Sequence, residues 1–131
     1  MQRMFKVSLA LAGIYGAIVI GMMAAVSHYF SKTMDGAQFS ALISALALLS
    51  FQTLAILSLS LFALTDQRFS KKLLLALLAC WHLGTWLFTY TVWAGLFALP
   101  LHFSQLAPLG GQLLLLSWFM LGGLAFFGNK Q

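Results

Sequence analysis

The stretch LLLALLACWHLGTWLFTYTVWAGLF, residues 73–97, is continuous, mostly apolar and free of formally charged side chains. A helix that crosses a membrane needs about 20 mostly apolar residues, and this stretch is long enough. Its apolar residues run together instead of alternating with polar ones, as they would in a strand of a membrane barrel. A helix also satisfies its own backbone hydrogen bonds in lipid. The stretch therefore predicts a membrane-spanning helix.

Three further stretches, residues 7–27, 41–64 and 109–127, have the same character and leave only short tails and loops. We predict a single transmembrane domain over residues 1–131, an all-α bundle of four transmembrane helices. The composition agrees, because 62% of the 131 residues are hydrophobic and 7% are charged, whereas a soluble domain carries roughly 25% charged residues. This composition excludes a soluble enzyme, a disordered chain and, despite the net charge of +5, a protein that binds nucleic acid.

The basic residues predict the orientation of the bundle. Six of the seven Lys and Arg residues fall in the two tails or in the loop between the second and third spans. Those six are Arg3, Lys6, Arg68, Lys71, Lys72 and Lys130. Because cytoplasmic segments are enriched in Lys and Arg, we expect both termini to lie in the cytoplasm (N-in/C-in).

A stripe of small residues follows the first span at intervals of four: Gly13, Ala17, Gly21 and Ala25. Small residues let two helix backbones approach closely in a membrane. The stripe predicts a helix-packing surface. Its partner is either another helix of the same bundle, or a second copy of the chain or a partner subunit.

Two strongly polar residues, Gln52 and His82, lie near the middle of the second and third spans. Thr85 and Thr89 follow His82 at a spacing of three and seven, which places them on the same helix face. Because these two spans are antiparallel neighbours, we expect Gln52 and His82 to lie at similar depth and each to have a partner, most simply each other or Thr85 and Thr89. The cluster is interpreted as a hydrogen-bonded clamp between helices, or as a site for a lipid, quinone or small-molecule headgroup. A proton or ion path is a third interpretation, disfavoured because the spans contain no Asp or Glu.

Motifs for catalysis and cofactors do not stand out. The single cysteine, Cys80, excludes an internal disulfide, and no Cys/His group has the spacing of a metal site. We therefore expect no cofactor, no metal and no enzymatic activity.

Several segments resemble, in order and spacing, the YgdD-like family of small four-span bacterial inner-membrane proteins, relatives of transmembrane protein 256. The segments are His28, FQTLAIL (51–57), LGT (83–85), LFTYT (87–91) and APLGG (107–111). The resemblance covers nearly the whole chain and implies the same fold and a bacterial inner-membrane location. It marks His28, Pro108, Gly110 and Gly111 as family-motif residues, whereas a second family histidine falls on Gln52. The family offers no established activity.

These features predict a small, non-enzymatic integral membrane protein. We expect an accessory subunit of a larger membrane complex or a lipid-associated factor. The alternative is a small carrier or a quinone- or lipid-binding protein that uses Gln52, His82, Thr85 and Thr89. The expected partners are membrane lipids and either a larger complex or further copies of the chain.

Overall fold

The computed structural model describes residues 1–65, 69–100, 103 and 105–127, with residues 125–127 described as backbone only. Within these residues every regular element is helical, and four helices are long and apolar enough to cross a membrane. The prediction of an all-α, four-helix membrane protein is therefore confirmed. Arg68 and Lys130, two of the six cations behind the orientation prediction, lie outside the described residues.

The four helices are α1 (Gln2–Thr33), α2 (Gly36–Thr65), α3 (Lys71–Leu96) and α4 (Leu106–Phe127). A π-helical segment, Val26–Phe30, interrupts the α-helical hydrogen bonding of α1 near its C-terminal end.

Polar side chains close both ends of α2. At the start, the Asp35 carboxylate accepts a hydrogen bond from the Gln38 backbone N–H at 2.8 Å, and the Gln38 side-chain oxygen accepts one from the Asp35 N–H at 3.3 Å. This reciprocal pair is a capping box, which satisfies backbone donors that the helix itself cannot. At the far end, the Lys71 ammonium donates to the Ala63 carbonyl oxygen, one of the acceptors that a helix C-terminus leaves free.

The helices pack in chain order: α1 lies against α2, α2 against α3, and α3 against α4. The face of α1 that turns inward carries Phe5, Ser8, Ala12 and Tyr15, all buried, at alternating spacings of three and four. That spacing keeps side chains on one side of a helix. Ser8 and Tyr15 thereby reach the interior of the bundle.

The small-residue stripe of α1 lies on the opposite, outward side. Gly13, Ala17 and Gly21 are exposed and Ala25 is half-buried, and a Cβ atom added at Gly13 or Gly21 would have no neighbour within 4 Å. The prediction that this stripe packs within the bundle is wrong, and contact with another chain stays a prediction. The physical reason is that α1 is apolar on every side, so burial of its polar Ser8 and Tyr15 side chains decides which face turns inward.

Two backbones approach each other closely between α3 and α4, at Gly84 and Gly110. A Cβ atom on Gly110 would lie 2.7 Å from the Phe88 nitrogen and 2.8 Å from the Gly84 carbonyl oxygen. Only glycine allows this separation, because both neighbouring atoms belong to the backbone. At Gly111 the same atom would lie 3.8 Å from the Phe88 ring, an ordinary contact. Of the two adjacent motif glycines, Gly110 is therefore the one on which this contact depends.

Candidate functional site

His82 is the centre of a hydrogen-bonded network that joins three helices. Its Nε2 lies 2.8 Å from the Ser8 hydroxyl of α1, and its Nδ1 lies 3.1 Å from the Tyr15 hydroxyl. The Ser60 hydroxyl of α2 donates to Ser8 at 2.9 Å. Ser8, Ser60 and Tyr15 are buried, whereas His82 is half-buried. We call these four side chains the histidine network.

The histidine network contains one more hydrogen than its contacts use. In its neutral form an imidazole carries one N–H and one acceptor nitrogen. With the proton on Nδ1, His82 donates to Tyr15, Ser8 donates to Nε2, and the Tyr15 hydroxyl hydrogen is left over. With the proton on Nε2, Tyr15 donates to Nδ1, and the hydrogen left over belongs to Ser8, which already accepts from Ser60. The tautomer therefore decides which end of the network has a spare donor.

Gln52 belongs to a different contact. It is buried, and its Oε1 accepts a hydrogen bond from the Trp118 indole N–H of α4 at 3.0 Å. Its Nε2 is buried and has no hydrogen-bond partner among the described residues. The expected pairing of Gln52 with His82 is therefore wrong, since both nitrogens of His82 have other partners.

The direction of the side chains explains why the two residues do not meet. At a rise of 1.5 Å per residue, Gln52 lies about 20 Å from Thr65 along α2, and His82 lies about 16 Å from Lys71 along α3. Helical side chains tilt toward the N-terminus of their own helix. Because α2 and α3 are antiparallel, the two side chains point away from each other along the membrane normal, and the difference in depth grows.

Thr85 and Thr89 line a small cavity of about 210 Å³ between α1, α2 and α3. We call it the threonine pocket, and its lining residues are Tyr15, Ile18, Leu49, Thr85, Trp86, Thr89, Tyr90 and Trp93. The exposed Ile18 and Trp86 form the part of its wall that faces outward. Tyr15 belongs to both the pocket and the histidine network. Tyr15 thus lies between the pocket with Thr85 and Thr89 and the network with His82, whereas Gln52 belongs to neither.

Three of the residues that line the threonine pocket have buried polar atoms without a partner among the described residues. Thr85 is 1% exposed and Thr89 is 6% exposed, and neither hydroxyl has a hydrogen-bond partner among the described residues. The same holds for the indole nitrogen of Trp93. Buried threonines in helices can bond to the backbone of the preceding turn, and Thr53 does so here, to the Leu49 carbonyl at 2.7 Å.

Two larger grooves lie elsewhere on the described part of the bundle. The α1–α3 groove, of about 410 Å³, is lined by Arg3, Met4, Val7, Ser8, Leu11, Leu75, Leu78, Ala79 and His82. The α2–α4 groove, of about 570 Å³, is lined by Phe51, Leu54, Ala55, Ser58, Leu59, Phe62, Phe69, Leu74, Trp81, Trp118, Leu121 and Leu124. The lining residues of the first include Arg3, Ser8 and His82, and the accessible surface of both grooves is almost entirely apolar.

The remaining family-motif residues contribute no polar contact to these cavities. His28 lies exposed in the π-helical segment, and Pro108 is exposed in the first turn of α4. Within the described residues, no three His, Cys, Asp or Glu side chains lie close enough to hold a metal ion.

Sequence reasoning missed Ser8, Tyr15, Ser60 and Trp93, because single hydroxyl and aromatic residues are common in membrane helices. The spacing of seven between Ser8 and Tyr15 was the one available signal.

One relative supports the membrane assignment. The chain is 27% identical over 121 residues to a UPF0382 membrane protein of Haemophilus influenzae, and the match covers 92% of each chain. No family model and no solved structure matches the chain. The relative's name places it in a membrane and mentions no activity. Together with the four apolar helices, this similarity identifies a small membrane protein.

Proposed function

We propose that this protein is a non-enzymatic, lipid-associated membrane protein that binds a small, uncharged, membrane-dissolved molecule in the threonine pocket. The observation that carries the proposal is that three residues with buried, unpartnered polar atoms, Thr85, Thr89 and Trp93, line one cavity. An unpaired polar group in an apolar medium costs several kcal/mol. A ligand that accepts hydrogen bonds would remove that cost.

The composition of the pocket favours a quinone or a compact lipid headgroup. The two hydroxyls and the indole N–H are hydrogen-bond donors, which complement carbonyl oxygens. Trp86, Tyr90 and Trp93 add aromatic surface, with the Trp86 and Tyr90 rings stacked at 5.0 Å between centroids. The cavity has a volume of about 210 Å³. A compact head group fits that space, and its chain would leave past Ile18 and Trp86.

The test measures binding of a short-chain quinone by quenching of tryptophan fluorescence in purified protein. Thr85→Val and Thr89→Val each remove one hydroxyl at nearly constant volume. We expect each change to weaken binding about fivefold, the loss of one hydrogen bond worth about 1 kcal/mol. Stability should not fall, since an unsatisfied hydroxyl is removed. Thr53→Val is the matched control, because the Thr53 hydroxyl bonds to its own helix and lies outside the pocket. Unchanged affinity in both pocket variants, or no saturable binding, would refute the proposal.

A second candidate function is that of an accessory subunit, and the outward small-residue stripe of α1 favours it. Gly13, Ala17 and Gly21 are exposed, and small residues are typical of close contacts between membrane helices. A true partner should co-purify at a fixed ratio in mild detergent and be lost from Gly21→Leu, while the variant keeps its stability. A partner that stays bound to Gly21→Leu would contradict this use of the stripe.

We also propose that the protein lies in a bacterial inner membrane with both termini in the cytoplasm (N-in/C-in), and that it belongs to the YgdD-like family. The concentration of cations at one end of the bundle supports the orientation, and the motif residues around Gly110 support the family.

A further inference from the structure

We propose that the α1–α3 groove is a second ligand site, which binds an anionic glycerophospholipid of the surrounding membrane. Along α1, from its outer end inward, the groove is lined by Arg3, then by Ser8, which contacts His82 of α3, and then by Leu11. Other apolar side chains of α1 and α3, among them Leu75, form the rest of its wall. This order of charge, hydroxyl and apolar surface matches the order of groups along a phospholipid.

The charge at the outer end favours an anionic headgroup. Arg3 is exposed at the start of α1, and the exposed Lys6 and Lys72 lie near the same end of the bundle. A guanidinium binds a phosphate through two parallel hydrogen bonds. Basic residues near a membrane surface also attract anionic lipids over zwitterionic ones.

The depth of Ser8 matches the ester region of a lipid whose phosphate lies at Arg3. Ser8 follows Arg3 by five positions, which is about 7.5 Å along the helix axis. The headgroup layer on each side of a bilayer is about 5–8 Å thick. Ser8 and His82 therefore lie at the level where ester groups join the acyl chains, when Arg3 lies at the level of the phosphates.

The spare hydrogen of the histidine network supplies the donor for an ester carbonyl. When the His82 proton is on Nε2, the Ser8 hydroxyl hydrogen has no partner in the network, as its oxygen accepts from both His82 and Ser60. An ester oxygen in the groove would accept that hydrogen. An ether oxygen is a weaker acceptor, so the site distinguishes the two linkages. The lipid would contact the histidine network at Ser8, whereas the threonine pocket adjoins the network at Tyr15.

Lipid retention by the full-length protein, measured by native mass spectrometry in detergent, tests the site. The probes are phosphatidylglycerol, phosphatidylcholine with the same chains, and an ether-linked phosphatidylglycerol. We expect wild type to retain the ester phosphatidylglycerol about fivefold better than either of the others. Arg3→Gln should reduce retention to the level of phosphatidylcholine, whereas Lys32→Gln, at the opposite end of α1, should not. Ser8→Ala should abolish the preference for ester over ether.

Equal retention of the two headgroups, or of the ester and ether lipids, by wild type would overturn the proposal without any variant. Retention by Arg3→Gln equal to wild type would also overturn it. Thr85→Val should keep full lipid retention, so failure of this site and failure of the threonine pocket remain distinguishable. If inorganic phosphate displaces the lipid as readily as added phosphatidylglycerol does, the groove recognises a free anion, and the lipid assignment is wrong.

Discussion

Gly110→Ala is the substitution for which the structure predicts the clearest loss of stability. The new methyl group would lie 2.7 Å from the Phe88 nitrogen and 2.8 Å from the Gly84 oxygen. These two atoms are the backbone donor and acceptor of one turn of α3. Ordinary contact begins at 3.4 Å, so α4 must move outward by about 0.7 Å, enough to weaken the contacts around it substantially. Overpacking of this kind costs about 1–3 kcal/mol.

Gly111→Ala is the matched control. Its methyl group would meet only the Phe88 ring, at 3.8 Å, and both variants share the helix-propensity gain of alanine over glycine, about 1 kcal/mol. The free energy of unfolding, measured by titration with SDS in mixed micelles, should therefore be about 1–3 kcal/mol lower for Gly110→Ala than for Gly111→Ala. Equal stability of the two variants would show that the α3 and α4 backbones do not touch at Gly110.

Three further predictions follow from the network, the stripe and the charges. In a double-mutant cycle, the changes in free energy of unfolding for Gln52→Leu and His82→Leu should add within about 0.5 kcal/mol, since the two side chains share no partner. The changes for His82→Leu and Ser60→Ala should not add, because both residues contact Ser8. Coupling in the first cycle would contradict the separation of the two contacts. Gly21→Leu should not lower the free energy of unfolding of purified protein, and a loss above 1 kcal/mol would place the stripe inside the bundle. Reporter fusions in the loop between α2 and α3 should give a cytoplasmic signal and fusions between α1 and α2 a periplasmic one, and the reverse pattern would refute the orientation.

The number and type of helices were predictable because lipid imposes them. An apolar stretch of sufficient length in a bilayer has to satisfy its backbone internally, and residues 73–97 show that length without reference to any neighbour. The position of Thr85 and Thr89 on the same helix face as His82 was predictable for a similar reason, since helical spacing alone determines it.

The partners of each polar side chain depended on the tertiary structure. Apolar composition drives a helix into the membrane. It does not determine which face of the helix contacts a neighbouring helix, because lipid and helix surface are equally apolar. The stripe from Gly13 to Gly21 and the buried face with Ser8 and Tyr15 are therefore equally plausible until the bundle is assembled. Depth calculated from the sequence likewise placed Gln52 near His82. In antiparallel helices the side chains tilt in opposite directions, so Gln52 reaches Trp118 and His82 reaches Ser8 and Tyr15. The contacts of a side chain depend on its direction as well as on its position along the helix.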